Sequence, residues 1–386
     1  MSDLLKYSLG VDISKDNMDV CLMSIDKKLD VKIKGQRKFS NSLPDFKQLH
    51  VWCKKHCKEP VPLDILMEAT GVYYEKLAIY FTDEQYNVSV VLPNKARAYM
   101  QALGLNSKND TIDARGLALM CLQQKFDTWQ PLSKFYYQLR QLTRYHQNLQ
   151  ESKTAFANQY HALQHSGYTS KEVTRQLNKS IAFIEKQIEQ IKVAIASHIR
   201  RDGEVEQKVK NLCKIKGIDV LTVATIIAET NGFILFKSLG QLVSYAGYDV
   251  VENQSGMRTG KTRISKKGNS RIRRILHMPA FNVVRYEQTP FVNLYERVYD
   301  KTKIKMKAYV AVQKKLLVMI YTLWNKNEAY NPDHKNTSGN DEPQRPLSVG
   351  AHEGKPKKIV PPFGSTTQDE HRYNESPEAL FPLTQT

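Results

Sequence analysis

The sequence predicts an α/β domain at the front of the chain, a long helical coiled-coil hairpin in the middle and a mainly α-helical domain behind it. Three observations carry that expectation. Short apolar runs separated by turn residues fill the first 125 residues. Apolar residues then recur at spacings of three and four from about 132 to 199. From about 209 to 327 further helical patterns are interrupted by a stretch rich in glycine and cations. The expected divisions are 1–125, 126–205, 206–330 and a tail over 331–386.

The first strands are expected at 7–11, 18–25 and 31–39, with turn residues at 14–17 and 26–28. A helix carrying Leu43, Phe46, Leu49 and Trp52 follows, its apolar residues three apart. Then come a strand at 64–67, a helix at 73–81, a strand at 87–92 and a helix opening near Asp110. Three strands followed by alternating helix and strand is the order of the ribonuclease-H-like fold.

In that order four carboxylates fall where they can converge. Asp12 ends the first strand and Glu68 the fourth, while Asp110 and Asp113 stand three apart on the last helix and so share a face. Hard divalent cations take oxygen ligands, and two such ions about 4 Å apart stabilise both oxygens of a phosphoryl transfer. The chemistry indicated is phosphodiester cleavage.

In the middle region Ile181, Ile184, Ile188, Ile191 and Ile195 keep the spacing of a coiled-coil seam. Leu139, Leu142, Leu149, Phe156 and Leu163 line an earlier helix. The break at 165–170, with Thr169 or Ser170 as N-cap, turns the two into a hairpin. The seam reads as a dimer contact somewhat better than as a private core. Downstream, the run from Ile215 through Gly217 to Ala224 resembles a helix-hairpin-helix whose amides hold a DNA phosphate, and equally a plain helix start. The tail holds eight of the fifteen prolines with no periodicity and is expected to be disordered.

Charge indicates the partner. With 57 Lys and Arg against 39 Asp and Glu, the net charge is +18, and nucleic acid is the usual counterpart of such a chain, ahead of an acidic membrane surface. The five cysteines, Cys21, Cys53, Cys57, Cys121 and Cys213, are odd in number and scattered, the pattern of reduced core thiols in a cytoplasmic protein. Cys53 and Cys57 with His50 and His56 lack a second ligand pair and read as helix packing rather than a zinc site. The N-terminus has no signal-peptide core, and the longest apolar run, 316–324, is too short to span a bilayer.

Between Glu252 and Glu287 there is no acidic residue, and Arg258, Lys261, Arg263, Lys266, Lys267, Arg271, Arg273 and Arg274 crowd the interval from 258 to 274. Glycine, serine and asparagine interrupt the run where glutamate would neutralise it, so phosphate contact is the expected role. The segment 256–262 has three residues between its glycines where a phosphate-binding nucleotide loop needs four, and that reading is rejected. Ser255 is a candidate nucleophile, although a serine hydroxyl is weak at neutral pH and needs a nearby base or metal and a cationic clamp on the phosphate it attacks. By residue chemistry Ser265 and Ser270 are equally eligible.

These residues resemble a known family, the DEDD transposases of bacterial insertion sequences of the IS110 and IS1111 group, related to pilin-gene DNA invertases. The matching pieces are Gly10-Val-Asp12, Glu68-Ala-Thr-Gly-Val-Tyr73, Asp110-x-x-Asp113-Ala, Gly217-Ile, Tyr245-Ala-Gly247, Ser255-Gly256, and the run Ile264 to Arg273 with Gly268-Asn269. They run in order from about residue 6 to 325, with Asn109 where the family more often has Thr or Ser. The resemblance implies a RuvC-like, ribonuclease-H-fold domain whose Asp12, Glu68, Asp110 and Asp113 bind Mg²⁺ or Mn²⁺. It implies a C-terminal transposase domain in which Ser255 forms a transient phosphoserine link to DNA. It also implies homodimers or homotetramers, donor and target DNA as substrates, and a structured guide RNA encoded by the element. A metal-dependent nuclease that uses water in place of serine is the alternative, and a non-catalytic binder on the same fold is a third.

Overall fold

Alternating apolar residues along the first 40 positions build an antiparallel meander in the computed structural model. It describes residues 3–104, 109–252, 254–255, 258–260 and 262–331. Strand β1 (Leu4–Ile13) pairs antiparallel with β2 (Asn17–Asp26), and β2 with β3 (Val31–Ser40). Helix α1 (Leu43–His56), with Pro44 in its first turn, leads to β4 (Leu63–Glu68), which lies parallel to β1 with Val11 opposite Met67. After α2 (Glu75–Asp83), β5 (Asn87–Val91) adds parallel to β4, and α3 (Pro93–Ala102) and α4 (Asp110–Gln123) complete the α/β part. The mixed sheet has the order β3-β2-β1-β4-β5.

Both faces of the sheet are covered. Leu9, Val11 and Ile13 of β1 join Phe46, Leu49 and Cys53 of α1 and Leu77 and Phe81 of α2 in one core. Cys53 is thus a packing residue, as its apolar context indicated, and all five cysteines are free thiols. On the opposite face Leu66 and Val91 meet Met100 of α3 and Leu117 and Met120 of α4, while Cys21 and Met23 meet Ala114 and Ala118.

Gly10 sets how closely α4 approaches. A Cβ there would fall on the Ala114 carbonyl oxygen and the Ala118 amide nitrogen, and within 2.9 Å of Ala118 Cα. Gly10→Ala is therefore expected to lower stability by about 1–3 kcal/mol by forcing α4 off β1. A thermal melt and a DNA-cleavage assay on the same sample check this. An unchanged melting temperature would show that the backbone contact yields freely.

The middle helices are α5 (Lys134–Gln164), N-capped by Ser133, and α6 (Lys171–Ile199), N-capped by Ser170. Ile184 and Ile188 pack on Leu149 and Phe156 of α5, and Ile195 joins Leu139 in the C-terminal core. The expectation that the seam serves a second copy is corrected here: its central isoleucines are consumed inside the chain, because α5 folds back along them.

The last part comprises α7 (Gly203–Leu212), α8 (Val220–Thr230) and α9 (Leu239–Tyr245), then four two-residue strands. These are β6 (Val250–Val251), β7 (Gln254–Ser255), β8 (Arg258–Thr259) and β9 (Arg263–Ile264). Strand β6 pairs with β9 and β7 with β8, so a short ribbon sits inside the larger hairpin. Helices α10 (Ser270–Ile275), α11 (His277–Arg285), α12 (Thr289–Thr302) and α13 (Lys305–Lys326) follow. Helix α8 is central, with every residue from Thr222 to Thr230 buried.

Gly217, at φ +101°, turns the chain from α7 into α8, and a Cβ there would meet Asn282 Cβ at 2.7 Å. Asp219 accepts the Thr222 amide and so caps the start of α8. No helix among the described residues is long and apolar enough to cross a membrane. The expected disordered tail, apart from Asn331, lies outside the described residues.

Candidate active site and basic segment

Strand alternation decides where Asp12 faces. With Leu9, Val11 and Ile13 in the α1–α2 core, Ser8, Gly10 and Asp12 face α4. The Ser8 hydroxyl donates to the Ala118 carbonyl at 2.8 Å, and Gly10 lies against Ala114 and Ala118. One more turn toward the start of α4 brings Asp110 level with Asp12. On β4, Leu66 shares a core with Leu117, so Glu68 lies toward Asp113, one turn before Leu117. The register of β1 against β4 puts Asp12 and Glu68 side by side at the strand ends.

The electrostatics agree. Burial pushes the Asp12 carboxyl up, and the negative charges of Asp113, Asp110, Glu68 and Asp19 add to it, bringing it to about 6. The four predicted acids thus act on one another from three separate elements. Among the described residues no three His, Cys, Asp or Glu side chains form a ready metal-holding group. The donor set is all oxygen, the kind a hard divalent cation takes, and holding one requires the carboxylates to draw in.

Two asparagines frame this site. Asn109 caps α4 by accepting the Thr111 amide at 3.0 Å, the task that Ser or Thr performs at such a position. Asn41 donates to Ser14 O at 3.0 Å and Tyr73 O at 3.1 Å, tying the β1–β2 turn to the loop that follows Glu68. Sequence reading missed Asn41, because nothing in its local pattern separates it from an ordinary turn residue.

The basic segment is anchored from behind. Gly268 packs against Gly247, whose φ is +73°, and the Asn269 amide donates to Tyr245 O at 2.7 Å. Asn269 caps α10 through Oδ1, accepting from Arg271 N and Ile272 N at 3.0 and 3.3 Å. Its Nδ2 donates to Glu229 Oε2 at 2.8 Å. Glu229, 2% exposed, also accepts two bonds from Arg144, at 2.7 and 2.9 Å. Burial raises the Glu229 carboxyl, but the hydrogen bonds and charge of Arg144, with Asn269, outweigh it and hold the carboxyl below the usual range. Along α5, Arg140 and Tyr137 bond Glu75 of α2, so one helix ties the acid-bearing sheet to the basic segment. Glu229 was missed as a site residue, though a lone acid in the apolar run of α8 was the available signal.

The eight cations are not equivalent. Arg263, Lys266 and Lys267 are exposed, as solvent-facing phosphate contacts require. Arg273 is turned inward and donates to Ala246 O at 2.9 Å, and Arg274 pairs with Glu151 of α5. Arg271 lines a cavity described below. Backbone pairing puts Ser255 opposite Arg258. The Ser255 and Arg258 side chains, and Lys261, lie outside the described residues. Ser265 accepts the Lys267 amide at 3.3 Å, and Ser270 opens α10.

Residues 9–166 match the DEDD transposase model of IS110 elements, and residues 209–296 match the transposase IS116/IS110/IS902 family. The chain belongs to the IS110 family of transposases. It is similar to the pilin gene-inverting protein of Moraxella bovis, 28% identical over 329 residues, covering 84% of this chain and 98% of that one. The pilin gene-inverting protein of Moraxella lacunata matches with the same identity and coverage. Among solved structures, the Aquifex aeolicus member of the Ppx/GppA family aligns over 84% of this chain and 92% of that one. The identity is 10% and the TM-score 0.21.

Proposed function

We propose that this chain is a DNA recombinase of a bacterial insertion sequence that cuts and rejoins strands through Ser255. The observation that carries the proposal is the Asp12 carboxyl, raised to about 6 with charges from Asp113, Asp110 and Glu68 acting on it. Like charges gathered at strand ends are a functional arrangement more often than a structural one. Sheet order and the positions of the acids fit a ribonuclease-H-like, RuvC-like domain. The Moraxella relatives, named for inverting a pilin gene, support strand exchange over simple degradation.

In this reading Asp12, Glu68, Asp110 and Asp113 would hold Mg²⁺ or Mn²⁺, which would stabilise developing charge on the scissile phosphate. The Ser255 hydroxyl forms a bond to phosphorus and loses its proton, while the bond to the leaving deoxyribose oxygen breaks and that oxygen takes up a proton. Attack by a second strand's hydroxyl reverses the step, so no nucleotide triphosphate is consumed. Exposed cations of the basic segment hold the flanking phosphates. A guide RNA encoded by the element, and a dimer or tetramer that brings two half-sites together, complete the proposal.

The test is a denaturing gel of end-labelled element-junction DNA incubated with the protein, Mg²⁺ and the element's RNA. A slow-migrating adduct that protease removes and that Ser255→Ala abolishes is the expected result. Free cleaved ends without an adduct, persisting in Ser255→Ala, would mean that water is the nucleophile.

A further inference from the structure

A cavity of about 490 Å³ opens between α5, the start of α8 and the α10–α11 corner, lined by none of the four acids. Two residues of its lining, His146 and Arg271, each carry a buried side-chain nitrogen, Nε2 and Nε, with no hydrogen-bond partner among the described residues. His146 is only 6% exposed. An unpaired buried polar group costs about 1–3 kcal/mol, so a small turn of either side chain toward an occupant of the cavity is favoured.

The lining indicates what kind of ligand. Ile218, Ile275, Met278 and Pro279 give an apolar wall, while Gln147, Gln150 and Asn282 bring amides that donate and accept. Arg271 adds positive charge, while the charge of Arg274 is offset by Glu151. Asp219 is the one acid on the lining, and its Oδ1 is held by the Thr222 amide and hydroxyl at 2.8 and 2.5 Å. The volume exceeds what one phosphate needs and falls in the range of small-molecule sites. A flat apolar face with polar edges and one anionic group describes a nucleotide.

Resting on the DNA-recombinase reading, we infer that this cavity receives one unpaired nucleotide of the bound DNA. Its base lies along the apolar wall with its edge at the amides and His146, and its phosphate lies at Arg271. Arg271 and Arg274 belong to the acid-free interval from 253 to 286, so the cavity opens beside the segment expected to track the backbone. Extruding a base costs a few kcal/mol in a paired duplex and little where the base is already unpaired. The site therefore favours bulges and junctions over plain duplex.

The experiment uses the full chain and two DNA duplexes of one sequence, one with a single unpaired 2-aminopurine and one fully paired. Stacking contributes about 1–3 kcal/mol per base, so the bulged duplex is expected to bind roughly tenfold or more tightly, with a fluorescence change that AMP reverses. Met278, 62% exposed, lines the cavity without supporting the core. Met278→Trp should block the cavity, erase the preference for the bulge and keep both paired-duplex affinity and melting temperature. Arg271→Gln should also reduce the preference.

Equal affinity for both duplexes, or a preference that survives Met278→Trp or resists AMP, overturns the inference. The protein–DNA adduct is measured in the same samples. An adduct without a bulge preference overturns this inference alone, whereas a bulge preference without an adduct upholds it and overturns the serine reading.

Discussion

Asp12→Asn is expected to abolish DNA cleavage and to raise the melting temperature of the protein in chelator. The two effects share one cause. Burial and the charges of Asp113, Asp110, Glu68 and Asp19 hold the Asp12 carboxyl at about 6, above its ordinary value of 3.8. The native state therefore binds a proton that the unfolded state releases between those pH values. Its stability falls as pH rises through the window and stays lower at neutral pH. A shift of this size corresponds to about 3 kcal/mol at full strength, and about 1–2 kcal/mol is expected because the carboxyl keeps contact with water. Asparagine removes the charge at nearly constant shape, so the metal-free variant gains that stability. In wild type, Mg²⁺ should raise the melting temperature by mass action, and in Asp12→Asn it should do so far less. A variant that melts lower than wild type in chelator, or that still cuts DNA, contradicts this account of the site.

Glu229→Ala is expected to cost about 1–3 kcal/mol, less than for a fully buried ion pair because the stranded Arg144 side chain is 36% exposed and can hydrate. Arg144 would lose both partners, and Asn269 would lose the bond that fixes the start of α10. The basic segment should then be misplaced, and DNA affinity should fall beyond what lower stability explains. Glu229→Gln keeps an acceptor for Arg144 or Asn269 and should cost less. The pH dependence runs opposite to that of Asp12. The Glu229 carboxyl is held below its ordinary value, so its contribution is complete above that value and lost as pH falls through the folded one. Thermal melts of wild type, Glu229→Ala, Arg144→Ala and the double variant, combined in a double-mutant cycle, measure the coupling. Independent effects would show that the network does not hold the segment.

Much of the sheet was legible because its strands carry local signals. Alternation and turn residues mark β1 to β3, and the apolar run ending at Glu68 marks β4. Helix α3 was not expected: it has only two buried residues, Ala96 and Met100, and Pro93 at its start was the sole clue. The two-residue strands β6 to β9 carry no periodicity that a sequence pattern could reveal. Proximity of the four acids followed from fold order, since strand ends and helix starts meet along one edge of such a sheet. The tie between Arg144 and Glu229 joins residues far apart in the chain, and no local pattern announces it. The isoleucine seam shows the same limit. Its spacing was plain, but whether α5 or a second copy covers it depends on the turn at 165–170.

The central claim, that Asp12, Glu68, Asp110 and Asp113 form one metal centre, is tested most directly by Mn²⁺ titration followed by electron paramagnetic resonance. The full chain should bind Mn²⁺ and be displaced by Mg²⁺, and Asp12→Asn and Asp113→Asn should each lose most of that affinity while remaining folded. Binding that is undiminished in both variants would contradict the claim and leave the four acids as neighbours without a common ligand.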